Sequence, residues 1–385
     1  MQIRVHNRIA EIDASQWNAM LSEDYPFLRH EFLQGLEQCQ CVCQATGWQP
    51  AHIAIYSSEN ERTLVGAMPC YIKQHSYGEY IFDWAWADAY QRHGLEYYPK
   101  LNNAVPFTPA TGPRWLVNAK ADYEQVSSAL IQHALTIVKE KKLSSFHCLF
   151  PTARQLKTLQ GEGLSGRYSS QFHWHNKAYT SFAHFLDQMS SKKRKNIKRE
   201  RRRVQEMGVT YRWLSGDQLK PDDAQKMFQF YSLTINAYSA HSYLNADFFD
   251  YLVASFASQT LFLFAQYKGQ TIAGGLYFKS QNTLYGRYWG ALDNFHSVHF
   301  ETCYYQAIDW CIKNNYRSFE AGAQGQHKLA RGLEPSPTYS AHWIRDPHFR
   351  KAIESFLQDE QQSVEQHMQI LDQHSPFKTT RQSDD

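Results

Sequence analysis

Apolar positions along the chain fall into short strand-like runs separated by polar turns, and the same succession of runs occurs twice. The first copy predicts a strand at His52–Tyr56, a turn at 57–62, a strand over 64–73 and a third strand at Tyr77–Asp83. The second predicts strands over 261–267, 272–279 and 284–289, with a turn at 268–270. Gly66 and Gly274 lie 208 positions apart, as do the tetrapeptides Tyr77-Gly-Glu-Tyr80 and Tyr285-Gly-Arg-Tyr288. Each copy then reaches an amphipathic helix, 123–141 or 299–314, and a further strand, 144–150 or 317–322. Phe146 and Phe319 are only 173 apart, so the first copy carries about 35 additional residues, expected within the aromatic-rich stretch 85–118.

A repeated unit of antiparallel strands, helix and strand predicts an α+β fold built as a pseudo-symmetric pair with a cleft. The expected domains are 1–175, containing the insertion 85–118, and 176–345, opening with a basic helix over 191–207. Residues 346–385 are expected to form a helical extension and a frayed tail. A chain of 385 residues, 43% of them hydrophobic, is long enough for two such cores.

The net charge of +3 changes meaning once its distribution is considered. Residues 191–203 hold nine cations and one anion, a local charge of +8 that leaves the rest of the chain at −5. Ser190 or Ser191 can cap this helix and Gly208 can end it, while Ile197 and Val204 give it a narrow apolar stripe. Cations four residues apart repel one another, and Lys192, Lys193, Arg194 and Lys195 oppose the helix dipole in its first turn. Lys192, Lys193, Arg194, Lys195, Lys198 and Arg202 are therefore candidate anion-binding residues. Their partner is a tRNA, another phosphate-bearing molecule or an anionic surface.

Seven cysteines without framework spacing, no apolar leader and no membrane-length apolar run predict a soluble protein of the reducing cytoplasm. Cys39-x-Cys41-x-Cys43 lacks the spacing of a zinc site, so no metal is expected. No G-x-G-x-x-G, P-loop or G-x-S-x-G occurs, which removes dinucleotide redox, phosphoryl-transfer and serine-hydrolase chemistry from consideration.

The densest polar constellation is Phe319 to Pro337, where Glu320, Gln324, His327, Lys328 and Arg331 follow a strand among three glycines. Glu301 opens the preceding helix, and Tyr304 sits in that helix's apolar stripe, where packing is the expected role. Arg287 and Tyr288 lie on the third strand of the second copy, with Arg287 a stacked cation or an anchor for an anion. In the first copy Lys73, His75, Asp83, Asp88, Tyr90 and Lys100 suit a pocket for a polar substrate.

These residues together resemble a family. His75-Ser-Tyr-Gly-Glu-Tyr80, Trp86-Ala-Asp-Ala-Tyr90, Val105 to Pro113, Arg194 to Arg201, Leu284 to Gly290, His299 to Tyr305 and Glu320 to Gly325 are similar to a bacterial family of the GNAT superfamily. That family is concerned with peptidoglycan biosynthesis or recognition and is related to the FemAB-type peptidoglycan bridge aminoacyltransferases. The resemblance implies two tandem GNAT-like domains and an N-acyltransferase or aminoacyltransferase acting on an amine, with a cell-wall precursor as acceptor and acyl-CoA or aminoacyl-tRNA as donor substrate. Simple GNAT enzymes hold the CoA pyrophosphate on an R/Q-x-x-G-x-G/A turn, whereas 292–299 here contains neither glycine nor Arg or Gln, which favours a tRNA donor. Within that reading Glu301, Glu320 and His327 are the candidate proton acceptors, and Arg287, Lys328 and Arg331 hold anionic substrate or developing charge. The alternatives are an acyl-CoA-dependent N-acetyltransferase and a non-catalytic binding module on the same scaffold.

Overall fold

The computed structural model describes residues 1–59, 62–238, 241–293, 295, 297–323 and 325–378. The chain divides into two compact units, the first of Met1–Ser169 with Pro337–Glu365 and the second of Ser170–Ser336 with Gln366–Asp385. In chain order the first segment supplies β1 (Gln2–His6), α1 (Ala14–Ala19), α2 (His30–Gln38), β2 (Trp48–Pro50), β3 (His52–Tyr56), β4 (Leu64–Met68) and β5 (Cys70–Lys73). It continues with α3 (Trp84–Arg92), β6 (Lys100–Asn103), β7 (Leu116–Val117), α4 (Tyr123–Glu140), β8 (Ser145–Leu149) and α5 (Ala153–Gly161). β9 (Ser165–His175) then leads to α6 (Phe182–Asp187), α7 (Ser191–Glu206), β10 (Thr210–Ser215), α8 (Pro221–Ala237) and α9 (Ala246–Ser255). Next come β11 (Thr260–Tyr267), β12 (Gln270–Lys279), β13 (Thr283–Ala291), α10 (298–313, its turn Glu301–Tyr305 wound as a π-helix) and β14 (Ser318–Glu320). β15 (Glu334–Ile344) and α11 (Pro347–Gln373) complete the chain.

In the first unit β1, β3, β4 and β7 form one antiparallel group. β2, β5, β6, β8 and the Ser340–Ile344 part of β15 form another, in which only β6 and β8 run parallel. Asp122 caps α4 by accepting from the Gln125 amide, and Val126, Leu130, Ile131, Ala134 and Val138 recur at helical spacing on its buried face. That face packs with Ile53, Ile55, Met68, Leu101 and Phe146. In the second unit the strand order is β10-β11-β12-β13-β14-β9, again with a single parallel pair, β13 and β14. α8 approaches β13 so closely that a Cβ at Gly290 would lie 1.9 Å from the Phe230 carbonyl oxygen.

The two units share the α+β plan expected of the repeat, with two differences from the sequence reading. Residues 77–83 are not a strand, because Gly78 and Tyr80 take left-handed backbone angles and Ser76, Glu79 and Asp83 turn inward. The counterpart of β13 is instead β6, which pairs antiparallel with the preceding strand and parallel with the strand after the helix, just as β13 does. The additional residues thus divide between 74–99, before the third strand, and 104–122, between that strand and α4. The units are also discontinuous, where 175 and 345 are the sequence boundaries, because β15 pairs with β8 and so places 337–365 in the first unit. α7 starts after Ser190 and stops at Gly208, whose φ is +78°, and it buries Ile197 and Val204. Among the described residues no helix is long and apolar enough to cross a membrane.

Candidate functional site

In the second unit β13 and β14 pair only through Thr283, Leu284 and Tyr285 opposite Ser318, Phe319 and Glu320. β13 then continues to Ala291 without β14, so the strands part. A bulge at the point of parting leaves Arg287 as an extra residue, since Tyr277 pairs with Gly286 and Leu276 with Tyr288. The bulge reverses the alternation of side chains, so Arg287 does not share one face with both Tyr285 and Trp289, as regular spacing suggests. A cavity of about 120 Å³ opens there, lined by Arg287, Tyr288 and Trp289 of β13, His299, Cys303 and Tyr304 of α10, and Ala321 after β14.

The polar groups around this cavity come from α10 and the residues after β14. Tyr304 Oη lies 2.8 Å from His327 Nε2. Burial holds the phenol well above its ordinary range, and burial together with Arg331 and Lys328 lowers the imidazole. Both groups are therefore neutral near pH 7, with Tyr304 donating and His327 accepting. His299 packs on Trp289 at a tilt of 43° with ring centres 4.6 Å apart, and burial lowers its pKa to about 4. Lys328 is buried, donates to the Gly322 carbonyl at 2.7 Å and is lowered by burial to about 8. Glu320 sits at the last paired position of β14, 3.9 Å from His173, whose pKa burial lowers to about 3, so the contact is not an ion pair at neutral pH.

Glu301 is buried and committed to other protein groups. It accepts from Arg201 Nε and Nη2 at 3.0–3.2 Å and from Gln306 Nε2 at 2.8 Å. Arg331 stacks on Phe300 with its Cζ 3.4 Å from the ring centre, donates to the His327 carbonyl, and bonds Glu200, which also accepts from Tyr305. Glu200 and Arg201 thus tie α7 to α10 and to the His327 segment. Outside that seam Lys192, Lys195, Lys198 and Arg202 are exposed, and Lys193 and Arg194 are half-buried, Arg194 lying 3.7 Å from Asp187.

The first unit places its predicted residues around one fully buried cation. Lys100 Nζ donates to Ser76 Oγ and Glu79 Oε2 at 2.8 Å and to Asp83 Oδ2 at 2.5 Å. Burial opposes its charge, but Glu79 and Asp83 prevail and raise its pKa, while Lys100 in turn overcomes burial and holds Asp83 below the ordinary carboxylate range. Burial lifts Glu79 to about 7 and lowers Lys73, opposite Lys100 in the strand register, to about 7. The network extends through Tyr97 to His147 and His342, which are 2.6 Å apart and kept neutral by burial. Lys73 lies over Trp48 and near His75, whereas Asp88 is exposed and paired with Arg92, and Tyr90 packs on Phe349.

Where the second unit has a cavity, the first is filled. Asn103, at the end of β6, donates to the Arg114 carbonyl, and buried Arg114 donates to the carbonyls of Leu149, at the end of β8, and of Ala110 and Pro113. Residues 104–110 are all buried. The Val105 to Pro113 stretch therefore forms interior packing rather than the wall of a pocket.

The structure brings together Glu320, His327, Lys328, Arg331, Arg287 and Tyr288 in one unit, and Lys73, His75, Asp83 and Lys100 in the other. Gln324 lies outside the described residues. Sequence reasoning missed His299 and assigned Tyr304 to packing. The signal was present in His299, which stands four places from Cys303 and five from Tyr304 on turns of the same helix, but the π turn shifts which of them face one side. Arg201 and Glu301, a hundred residues apart, carried no local signal.

Comparison with known proteins agrees with this architecture. A family model described as FemAB-like, peptidoglycan biosynthesis/recognition, matches residues 8–379. No curated protein matches the sequence. Among solved structures, FemX is similar with a TM-score of 0.52 at 9% identity, covering 92% of this chain and 100% of that one. The C-terminal domain of a protein assigned as a lysylphosphatidylglycerol synthetase from Agrobacterium fabrum gives 0.54 at 10% identity, over 92% and 96% of the two chains. A conserved protein of unknown function from Bacteroides thetaiotaomicron gives 0.52 at 11% identity, over 89% and 99%.

Proposed function

Because the chain belongs to the FemAB-like family of peptidoglycan biosynthesis and recognition proteins, we propose that its second unit transfers an aminoacyl group to an amine of a cell-wall precursor at the parting of β13 and β14. The reaction class is N-acyl or aminoacyl transfer. The observation that carries the site is the cavity at that parting, which gathers Tyr304, His299 and Arg287 with His327 one hydrogen bond behind Tyr304. Its volume of about 120 Å³ suits an acyl or small aminoacyl group rather than a whole donor.

In the reaction the amine nitrogen forms a bond to the ester carbonyl carbon, and the carbon–oxygen bond to the donor breaks with its electron pair on the leaving oxygen. The proton lost by nitrogen must reach a base and then that oxygen. His327, relayed through the Tyr304 hydroxyl, meets this need because it is neutral and half-open, and Glu320 beside the last paired rung is the second acceptor. Glu301 is better suited to fixing α10 against α7, since Arg201 and Gln306 already occupy its oxygens. Arg287 at the bulge and Lys328 stabilise negative charge, and Arg331 positions His327 through its carbonyl.

An aminoacyl-tRNA donor fits the exposed cations Lys192, Lys195, Lys198 and Arg202 better than acyl-CoA does, because they form a row of charge suited to a phosphate backbone. With four phosphate contacts, log affinity for tRNA should fall against log salt with a slope of roughly 3. Replacing all four cations by Gln should remove most of that slope. Transfer assays with charged tRNA and with CoA thioesters test the site. Tyr304→Phe and His327→Gln should each lower the rate by about 10²-fold or more at unchanged melting temperature. Full activity in both would discard this site, and transfer from CoA thioesters alone would replace the donor.

A further inference from the structure

A second cavity, of about 560 Å³, lies wholly within the first unit, beside the segment that follows α3. Its volume is within the usual range for a small-molecule site. Of the four charged residues in its wall, Asp346 accepts from the His348 and Phe349 amides at the start of α11, while the side chains of Glu96, Lys142 and Arg345 make no ion pair or hydrogen bond among the described residues. Here both signs are left available.

A second observation comes from another residue of the same wall. Tyr90 is 3% exposed, yet its hydroxyl is buried with no hydrogen-bond partner, an unfavourable arrangement unless something else satisfies it. The neighbouring wall is fixed, because Tyr98 Oη lies 2.8 Å from Ser76 Oγ, which accepts from buried Lys100. Leu95, a wall residue, is 44% exposed and offers an apolar surface.

We propose that this cavity binds a free α-amino acid with an apolar side chain. Arg345 and Lys142 hold its carboxylate, Glu96 its ammonium, and Tyr90 donates a hydrogen bond to the carboxylate, while the side chain lies against Leu95. The inference does not rest on the transfer reaction, because occupancy is measured without turnover.

Isothermal titration of the full chain with L-leucine and L-phenylalanine tests it, with leucinamide and N-acetylleucine as probes lacking one charge each. The expected result is one saturable site with a dissociation constant of about 1 mM or tighter for an amino acid, and binding at least about tenfold weaker for both blocked probes. Arg345→Gln should abolish discrimination against leucinamide, and Glu96→Gln discrimination against N-acetylleucine. Tyr90→Phe should weaken leucine severalfold, and because the exposed Arg345 and Glu96 variants keep the wild-type melting temperature, the assignment does not depend on the buried site alone. No heat with either amino acid up to about 10 mM, equal binding of the blocked probes, or unchanged affinity in Arg345→Gln and Glu96→Gln would overturn the proposal.

Discussion

The first and second units answer the same topological question in opposite ways. Each has one parallel strand pair flanked by antiparallel neighbours, β6 with β8 and β13 with β14. In the first, β6 stays paired with β8 through Asn103, and Arg114 bridges the two strand ends. In the second, pairing stops at Tyr285, a bulge turns Arg287 aside, and a cavity opens. The first unit gathers buried charges around Lys100, and the second places the neutral pair Tyr304 and His327, with Arg287, at an opening. Duplication thus supplied two copies of a frame, and local side chains decided which gap was sealed.

The comparison can be broken most severely at Lys100. Lys100→Met leaves Glu79 and Asp83 buried without their cation, and should cost about 3–5 kcal/mol in chemical denaturation. Adding Glu79→Gln and Asp83→Asn to the same chain should recover much of that loss. A single substitution with under about 1 kcal/mol of effect would mean that water already reaches the cluster.

At the open gap the expected losses are catalytic. Arg287→Met should lower transfer by roughly 10²–10³-fold, as removal of one charge-stabilising donor does, while the denaturation midpoint stays put. A change in stability without a change in rate would make Arg287 a packing residue of the bulge.

The smallest effect separates the units by acid. His147 and His342 in the first unit, and His173 and His299 in the second, have pKa values lowered by burial, so the unfolded chain binds more protons below about pH 6.5 and stability falls as pH falls. Glu79, raised to about 7 by burial, acts in the other direction: its folded form holds a proton that the unfolded form releases until about pH 4.5, which offsets part of the loss in the first unit. Limited proteolysis at pH 7.5 and 5.5 should therefore show cuts rising first within 170–336. Equal rises in both units would remove this distinction.

Much of this plan was legible in the chain. The helices 123–140 and 191–206, the strand 52–56 and the three strands of the second copy follow from periodicity, capping and glycine. The third strand of the first copy was not legible, because Lys100–Asn103 carries buried polar residues where alternation calls for apolar ones, and their partners come from residues 69–83 and 114–148. Tyr97 and Asp83, or Tyr304 and His327, meet only through tertiary folding, so residue type picked out Asp83 and His327 but not their partners. Arg114 was invisible for the same reason: an arginine bonded entirely to carbonyls has no partner type to search for.

The strand β15 has a further consequence, for the order in which the protein is made. It pairs with β8 in the first unit, although more than 160 residues of the second unit lie between them in the chain. A nascent chain therefore cannot complete its first unit when the first half leaves the ribosome. The edge of β8 must wait, unpaired, until Ser340–Ile344 has been synthesised, which makes that edge the natural place for a chaperone to act during translation.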